Sequence, residues 1–318
     1  MSSLLSPPRA LMCVSIDCER DKGPGWRIRR PATFAGVHDG IAGRLQPLFA
    51  AFGVKPTYLL SPEVMRDDAS AERLRALRGS FELGTHLHAE YVAPDIDDDA
   101  ESVTFQAALP PVVERAKMHA LTALYIDRFG RRPRSFRAGR FGIGAASLPI
   151  LAELGYAVDS SVTPFLDWRR AGRGAPCFRD APLSPYRPDP TAPARTGDCA
   201  LWEVPLTIRP GAWQHVPALG RRLPHRWLRP TWGSARRLVR LARDVLAEAD
   251  QTTTSSPPRP AILNVMFHNV EVTAGASPYA ASEGAARALL DRLAALLTFA
   301  RDAGVSSVGL GDVPEWVS

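Results

Sequence analysis

The sequence predicts an α/β fold, closed into a (β/α) barrel. Short apolar runs alternate with amphipathic stretches along most of the chain. The runs are continuously apolar rather than alternating, as parallel strands covered on both faces are. Eight such runs in 318 residues suit a barrel better than an open sheet.

The first strand is expected over Leu11–Asp17, with a helix near Ile41–Phe52. The run Lys55–Leu60 leads into Ser61-Pro62, a Ser N-cap with Pro at the first helical position, and a helix near Glu63–Leu77. Phe81–Thr85 is the third strand and Val112–Phe129 its helix. Ser135–Arg137 and Ala145–Leu154 form the fourth pair. Tyr156–Asp159 and Leu201–Ile208 are the next strands, and Ala235–Ala249 is a helix. Ile262–Phe267 is followed by Ser277-Pro278, a second Ser-Pro start, and a helix near Tyr279–Ala303. Ser307–Leu310 ends the series. Arg169 to Thr196 is dense in Pro, Gly and Arg, so a long surface excursion is expected there. Gln251 to Pro260 reads as a polar linker. Alternation resumes after both, so residues 1–318 are expected to form one domain.

Composition narrows the class. With 45% hydrophobic and 23% charged residues, the chain is neither collagen-like, coiled-coil nor wholly disordered. Lys plus Arg number 39 against 33 Asp plus Glu, a net charge of +6. No apolar run approaches the roughly 18–20 residues that span a bilayer. Met1 to Ala10 lacks the apolar core of a secretory signal, so a cytoplasmic protein is expected. Cys13, Cys18, Cys177 and Cys199 fall at irregular spacing, neither a zinc cassette nor a disulfide framework, and are expected reduced.

Chemistry-bearing residues collect where the strands end. The first strand ends in Asp17-Cys18-Glu19, the third in His86-Leu87-His88-Ala89-Glu90. Ser135-Phe136 leads to Arg137, Ala157-Val158 to Asp159, and the Ile262 strand to His268-Asn269. The C-terminal strand ends of parallel barrels carry active sites. Carboxylates two apart suit a metal ligand plus a base. His86 and His88 share a side if the chain stays extended; His86 and Glu90 share one if it coils. Taken singly, each residue has a bland reading: Asp17 or Glu19 as a cap, Arg137 as a structural ion pair, His268 as a satisfied core histidine. The constellation raises them together.

Four segments occur in the order of the motifs of polysaccharide deacetylases: Val14-Ser15-Ile16-Asp17-Cys18-Glu19, Glu82-Leu83-Gly84-Thr85-His86-Leu87-His88, Ser135-Phe136-Arg137-Ala138-Gly139 and Met266-Phe267-His268-Asn269. The chain thus resembles the NodB-homology proteins of carbohydrate esterase family 4 over about residues 11–310. Asn269-Val270-Glu271 through Gly275-Ala276-Ser277-Pro278-Tyr279 further resembles the WalW-like branch found with bacterial polysaccharide-synthesis genes. The resemblance implies a distorted (β/α) barrel of about seven strands and a metal-dependent amide hydrolase acting on N-acetylated sugars, with a divalent, zinc-like ion. Asp17 matches the family's base. Cys18 falls where its ligand aspartate stands, with Glu19 one further on, so either is a candidate ligand. His86 matches the first histidine of the second motif; Glu90 stands at the second, with His88 between, and the branch pattern favours His88 while Glu90 stays open as the alternate. Of the Arg-Pro-Pro-Tyr motif only Arg137 carries over. Implied roles are Asp17 as general base, Arg137 holding it ionised, His268 as leaving-group acid and Asp159 as its partner. A smaller acyl group on a lipid-linked sugar (a deformylase) and a non-catalytic glycan-binding barrel are the rival readings.

His215 to Trp232 interleaves Arg221, Arg222, His225, Arg226 and Arg229 with Trp227 and Trp232. Such a stretch suits an anionic membrane surface or a lipid-linked glycan, hence contact with the inner membrane face. The plainer reading is a solvated loop whose tryptophans pack on the barrel. No nucleic-acid motif accompanies it, so no nucleic-acid partner is expected.

Overall fold

The structure, a computed structural model, describes residues 8–94, 105–211, 225–252 and 259–318, with only the backbone at 250–252. Its main sheet is built from β1 (Ala10–Cys18), β2 (Pro56–Leu60), β3 (Glu82–Leu87), β4 (Ser135–Ala138), β5 (Val158–Asp159), β6 (Trp202–Glu203), β7 (Ala261–His268) and β8 (Ser306–Ser307). Seven run side by side in the order β7-β1-β2-β3-β4-β5-β6, and β8 pairs with the start of β1. Every pair is parallel. The sheet curls into the expected distorted (β/α) barrel. Between β6 and β7 no strand ladder forms; one backbone bond, Thr207 N–H to the Asn264 carbonyl at 3.2 Å, is flanked by side-chain bonds. Asn264 N–H donates to Thr207 Oγ1 at 2.8 Å, and Asn264 Nδ2 donates to the Val204 carbonyl at 3.0 Å.

The helices include Gln46–Phe52, Pro111–Phe129, Ser147–Glu153, Ala235–Thr252 and Glu283–Asp302. Several boundaries differ from the sequence reading. The Ile41–Phe52 helix is preceded by a π-helical run, Gly36–Leu45. The helix expected over Glu63–Leu77 breaks in two at Asp67, whose carboxylate caps the second piece by accepting from Ser70 N–H. Ser277-Pro278 starts only a 3₁₀ turn, Pro278–Ala280; the long helix begins at Glu283 behind Ser282, which caps it through Ala285 N–H. Leu201–Ile208 is not one strand. Pro205 offers no N–H to a ladder, and Ile208–Arg209 pairs instead with Arg226–Trp227. The excursion after β5 carries a small antiparallel pair, Pro188–Asp189 with Ala192–Thr196. It buries Phe178, Ala181 and Tyr186 and so packs on the barrel.

Alternation along β1 sorts the site from the core. Met12, Val14, Ile16 and Cys18 belong to the large apolar cluster between sheet and helices. Leu11 and Cys13 belong to a second cluster with Leu59, Val158, Trp202, Leu310 and Val317. This second cluster fills the bottom of the barrel. Ser15, Asp17 and Glu19 continue the same face upward, so the barrel interior is apolar below and ionisable at the C-terminal end. Gly84 occupies the interior face of β3, two residues before His86. A Cβ there would lie 2.7 Å from both Leu59 Cδ2 and the Ser135 carbonyl oxygen. Gly84→Ala is therefore expected to destabilise the fold by about 1–3 kcal/mol, the usual cost of overpacking. Urea unfolding checks this; an unchanged midpoint would show that β3 and β4 can part freely.

Candidate metal centre and active site

Glu19, His86 and His88 converge above the apolar plug. One ligand atom from each lies within 4.8 Å of the others. His88 Nε2 is 3.0 Å and His86 Nε2 3.3 Å from Glu19 Oε1. The β3 strand stays extended through His86, and His88 follows with φ −96° and ψ 109°, so both rings face the same side. His86 Nδ1 donates to the Arg137 carbonyl at 3.0 Å, which leaves Nε2 free as a lone-pair donor. Asn269 clamps the Glu19 peptide from both sides. Its Oδ1 accepts from Glu19 N–H at 2.9 Å, and its Nδ2 donates to the Glu19 carbonyl at 3.1 Å. Lys22, itself buried, ion-pairs with Glu19 Oε2. Two imidazole nitrogens and one carboxylate oxygen are the three-residue donor set of a zinc-like site, and these residues fit such an ion.

Asp17 stands beside this cluster. Arg137 donates to its Oδ1 at 2.6 Å and is fully buried. The other Arg137 donors go to Ser15 Oγ at 2.7 Å, the Ser160 carbonyl at 2.7 Å and Ser160 Oγ at 3.0 Å. A saturated guanidinium is rigid. Burial works to raise the Asp17 pKa, but Arg137, His86 and His268 outweigh it and hold the carboxyl below its usual value. Oδ2 points into the site, 4.0 Å from both His86 Nε2 and His268 Nε2.

His268 ends β7 with Nε2 toward Asp17 and Nδ1 2.8 Å from Glu271 Oε1. Glu271 is fully buried and held by Arg229 at 2.7 Å and by the Thr231 hydroxyl. Burial works to raise the Glu271 pKa, but Arg229 and His268 outweigh it, so the carboxylate stays ionised. It fixes Nδ1 as the protonated nitrogen and aims Nε2 at the site.

Three candidates fall elsewhere. Cys18 lies on the outer face of β1, its thiol against the Ile16 carbonyl at 3.4 Å, and burial pushes its pKa up; it is not among the converging atoms. Glu90 turns away in the Ala89–Tyr91 turn to a two-pronged pair with Arg140, at 2.7 and 3.2 Å, and meets only the far nitrogen of His88. Asp159 is not the partner of His268. It accepts from Ser161 Oγ at 2.6 Å and shares a buried pocket with Glu203, where desolvation raises both carboxyls. Glu271 stands at His268 Nδ1, the place expected for Asp159. It was discoverable, since a 3₁₀ turn, Asn269–Val272, brings i+3 back onto i. Asn269 and Lys22 also escaped the sequence reading; neither carries a spacing signal. In the basic aromatic stretch, Arg221 and Arg222 lie outside the described residues. Arg226 pairs with Asp244, and Arg229 is buried on Glu271, so the charges seen there serve the fold and the site.

The charges around His88 favour its protonated form. Burial alone would lower the His88 pKa, but Glu19 and Glu90 push it up to about 9. Burial works to raise Glu19, but Lys22, His88 and His86 hold it well below the usual range. His88 is protonated below that pKa, and an incoming ion must displace the proton. Zinc binding at pH 8 is therefore expected to release about one proton from His88, and affinity to fall about tenfold from pH 8 to pH 7. Competition against a chelating dye checks this; a pH-independent affinity would exclude His88 as a ligand.

Sequence searches match no protein-family model and no curated protein. Solved structures do match. A protein from Parabacteroides distasonis assigned as a glycoside hydrolase/deacetylase superposes with TM-score 0.65 at 12% identity, covering 99% of this chain and 72% of its own. One from Pseudomonas aeruginosa assigned as a polysaccharide deacetylase gives 0.58 at 16%, covering 97% and 90%. Another from Mycobacterium smegmatis, also assigned as a polysaccharide deacetylase, gives 0.56 at 15%, covering 100% and 92%. The chain has the fold of the polysaccharide deacetylases.

Proposed function

We propose that the protein is a metal-dependent hydrolase that removes an N-acyl group, foremost N-acetyl, from an amino sugar of a cell-surface polysaccharide. The observation that carries this reading is the convergence of Glu19, His86 and His88 beside the Arg137-held Asp17 and the Glu271-held His268. The order of the four motifs and the shared fold support the acyl-sugar chemistry. Polysaccharide synthesis as its setting rests on the motif likeness to the WalW-like branch.

Glu19, His86 and His88 would hold a divalent ion, which would supply Lewis acidity toward an acyl carbonyl and toward water. Arg137 keeps Asp17 ionised and oriented, so that Oδ2 takes the proton of the attacking water. An amide nitrogen cannot leave as an anion. His268 presents Nε2 from the opposite strand end and gives the proton to that nitrogen, while Glu271 stabilises the imidazolium that precedes transfer. Asn269 fixes the Glu19 backbone and so the position of its carboxylate.

The test is elemental analysis of the purified protein, then acetate and formate release from N-acetyl and N-formyl amino sugars, free and lipid-linked. Retained metal with acetate release is expected. A protein that keeps no ion after reloading with zinc, nickel and cobalt in turn refutes the hydrolase reading.

A further inference from the structure

The loop after β1 contains charge that the proposed chemistry does not use. Gly23, Gly25, Arg27, Arg29, Arg30 and Thr33 line a groove of about 850 Å³, and no acidic side chain lines it. Arg29 donates to the Gly275 carbonyl and pins the loop. Arg27 and Arg30 are exposed and have no carboxylate partner among the described residues. Some arginines elsewhere are neutralised by a carboxylate, as Arg44 is by Glu283, Arg128 by Asp68 and Arg226 by Asp244.

The loop is also built rather than loose. Gly23 N–H donates to the Arg27 carbonyl at 2.7 Å, Asp21 N–H to Thr33 at 2.8 Å and Lys22 N–H to Ala276 at 2.8 Å. Gly25 and Trp26 are both left-handed, with φ of 65° and 62°. That conformation is costly for a tryptophan and is retained where surrounding structure demands it. It sets the Trp26 ring edge-on to His268, centroids 4.9 Å apart, and 5.2 Å from the Tyr279 ring. The same turn thus gives an aromatic wall to the acid–base side and hands the chain directly to Arg27. Trp26 lies between two residues that line the groove, Gly25 and Arg27, so the groove adjoins the aromatic wall beside His268.

We propose that Arg27 and Arg30 form a subsite for a phosphate carried by the sugar substrate. This rests on the N-acyl sugar reading above and names the substrate class. Two guanidiniums without a counter-charge favour a dianion, and their forked donors match phosphate oxygens. A carboxylate brings one negative charge against their two positive ones.

The experiment is calorimetric titration of the zinc-loaded protein with N-acetylglucosamine 1-phosphate and with N-acetylglucosamine. The phosphorylated sugar is expected to bind at least about tenfold more tightly, the margin of a single charge-assisted contact. Arg27→Gln/Arg30→Gln should erase the margin, and Arg27→Lys/Arg30→Lys should restore part of it. Equal binding of the two sugars, no binding of the phosphorylated one, or a margin that survives the glutamine pair overturns the subsite. The last result would place the phosphate on the metal. Arginine-dependent binding to phosphatidylglycerol vesicles without a gain for the sugar phosphate also overturns it, in favour of a membrane contact. Failure of the hydrolase reading looks different: no retained ion and no acyl release, whatever the arginine dependence.

Discussion

His86→Ala is expected to remove the metal and the hydrolytic activity together. The ion would keep only Glu19 and His88, and a zinc-like site with two protein ligands does not persist through dialysis. A loss on the order of 10²-fold or more in affinity is expected. His88→Ala should lose a similar amount, because His88 Nε2 makes the 3.0 Å approach to Glu19 Oε1. Glu90→Ala is the discriminating control. Glu90 faces Nδ1 of His88 and the Arg140 guanidinium rather than the site. Its removal should weaken binding far less. Metal content of each variant by elemental analysis, with circular dichroism to confirm folding, decides the matter. A Glu90→Ala loss as large as that of His88→Ala would mean that the segment coils when the ion enters, and that the extended geometry is not the working one.

That comparison also shows where the sequence could and could not lead. The period of two along an extended strand puts Asp17 with Glu19, and His86 with His88, on one face each. The same rule sends Cys18 to the outer face, among Met12, Val14 and Ile16. It was left open only because a motif position pointed to it. The strand count and parallel order followed from continuous apolar runs, since both faces of each strand are covered. The pairing of His268 was another matter. Asp159 and Glu271 are both acidic and both near strand ends, and the choice between them depends on how far β5 lies from β7 across the barrel. No local pattern encodes that distance. Helix starts misled for a related reason: Ser277 does cap a turn, but Ser282 five residues on caps the longer helix. The arginines of the 215–232 stretch looked like a surface because Glu271 and Asp244, which neutralise two of them, are remote in sequence.

The second large effect separates acid from base. Asp17 activates water, a step that every acyl substrate needs. His268 protonates the leaving group, a step that only a poor leaving group needs. Asp17→Asn should therefore depress hydrolysis of an N-acetyl sugar and of an activated aryl acetate alike, each by on the order of 10²–10⁴-fold. Asparagine is the right replacement, because its carbonyl can still accept from Arg137. Alanine would leave a buried guanidinium without its partner, at a cost of about 3–5 kcal/mol in stability. His268→Ala should depress the amide by a similar 10²–10⁴-fold, roughly, yet leave the aryl ester much less affected, since a phenolate departs without a proton. Glu271→Gln adds a third reading. It keeps the shape but removes the charge that stabilises the imidazolium, so the alkaline limb of the amide pH profile, where the acid has lost its proton, should move to lower pH while the ester profile stays put. Each variant is first checked for retained metal, because His268 Nε2 lies 3.9 Å from Glu19 Oε1 and its loss could disturb the ligand. If metal-replete His268→Ala loses both activities equally, the proton for the leaving nitrogen comes from elsewhere, and Asp17, the next acid–base group on that face, would have to return the one it took.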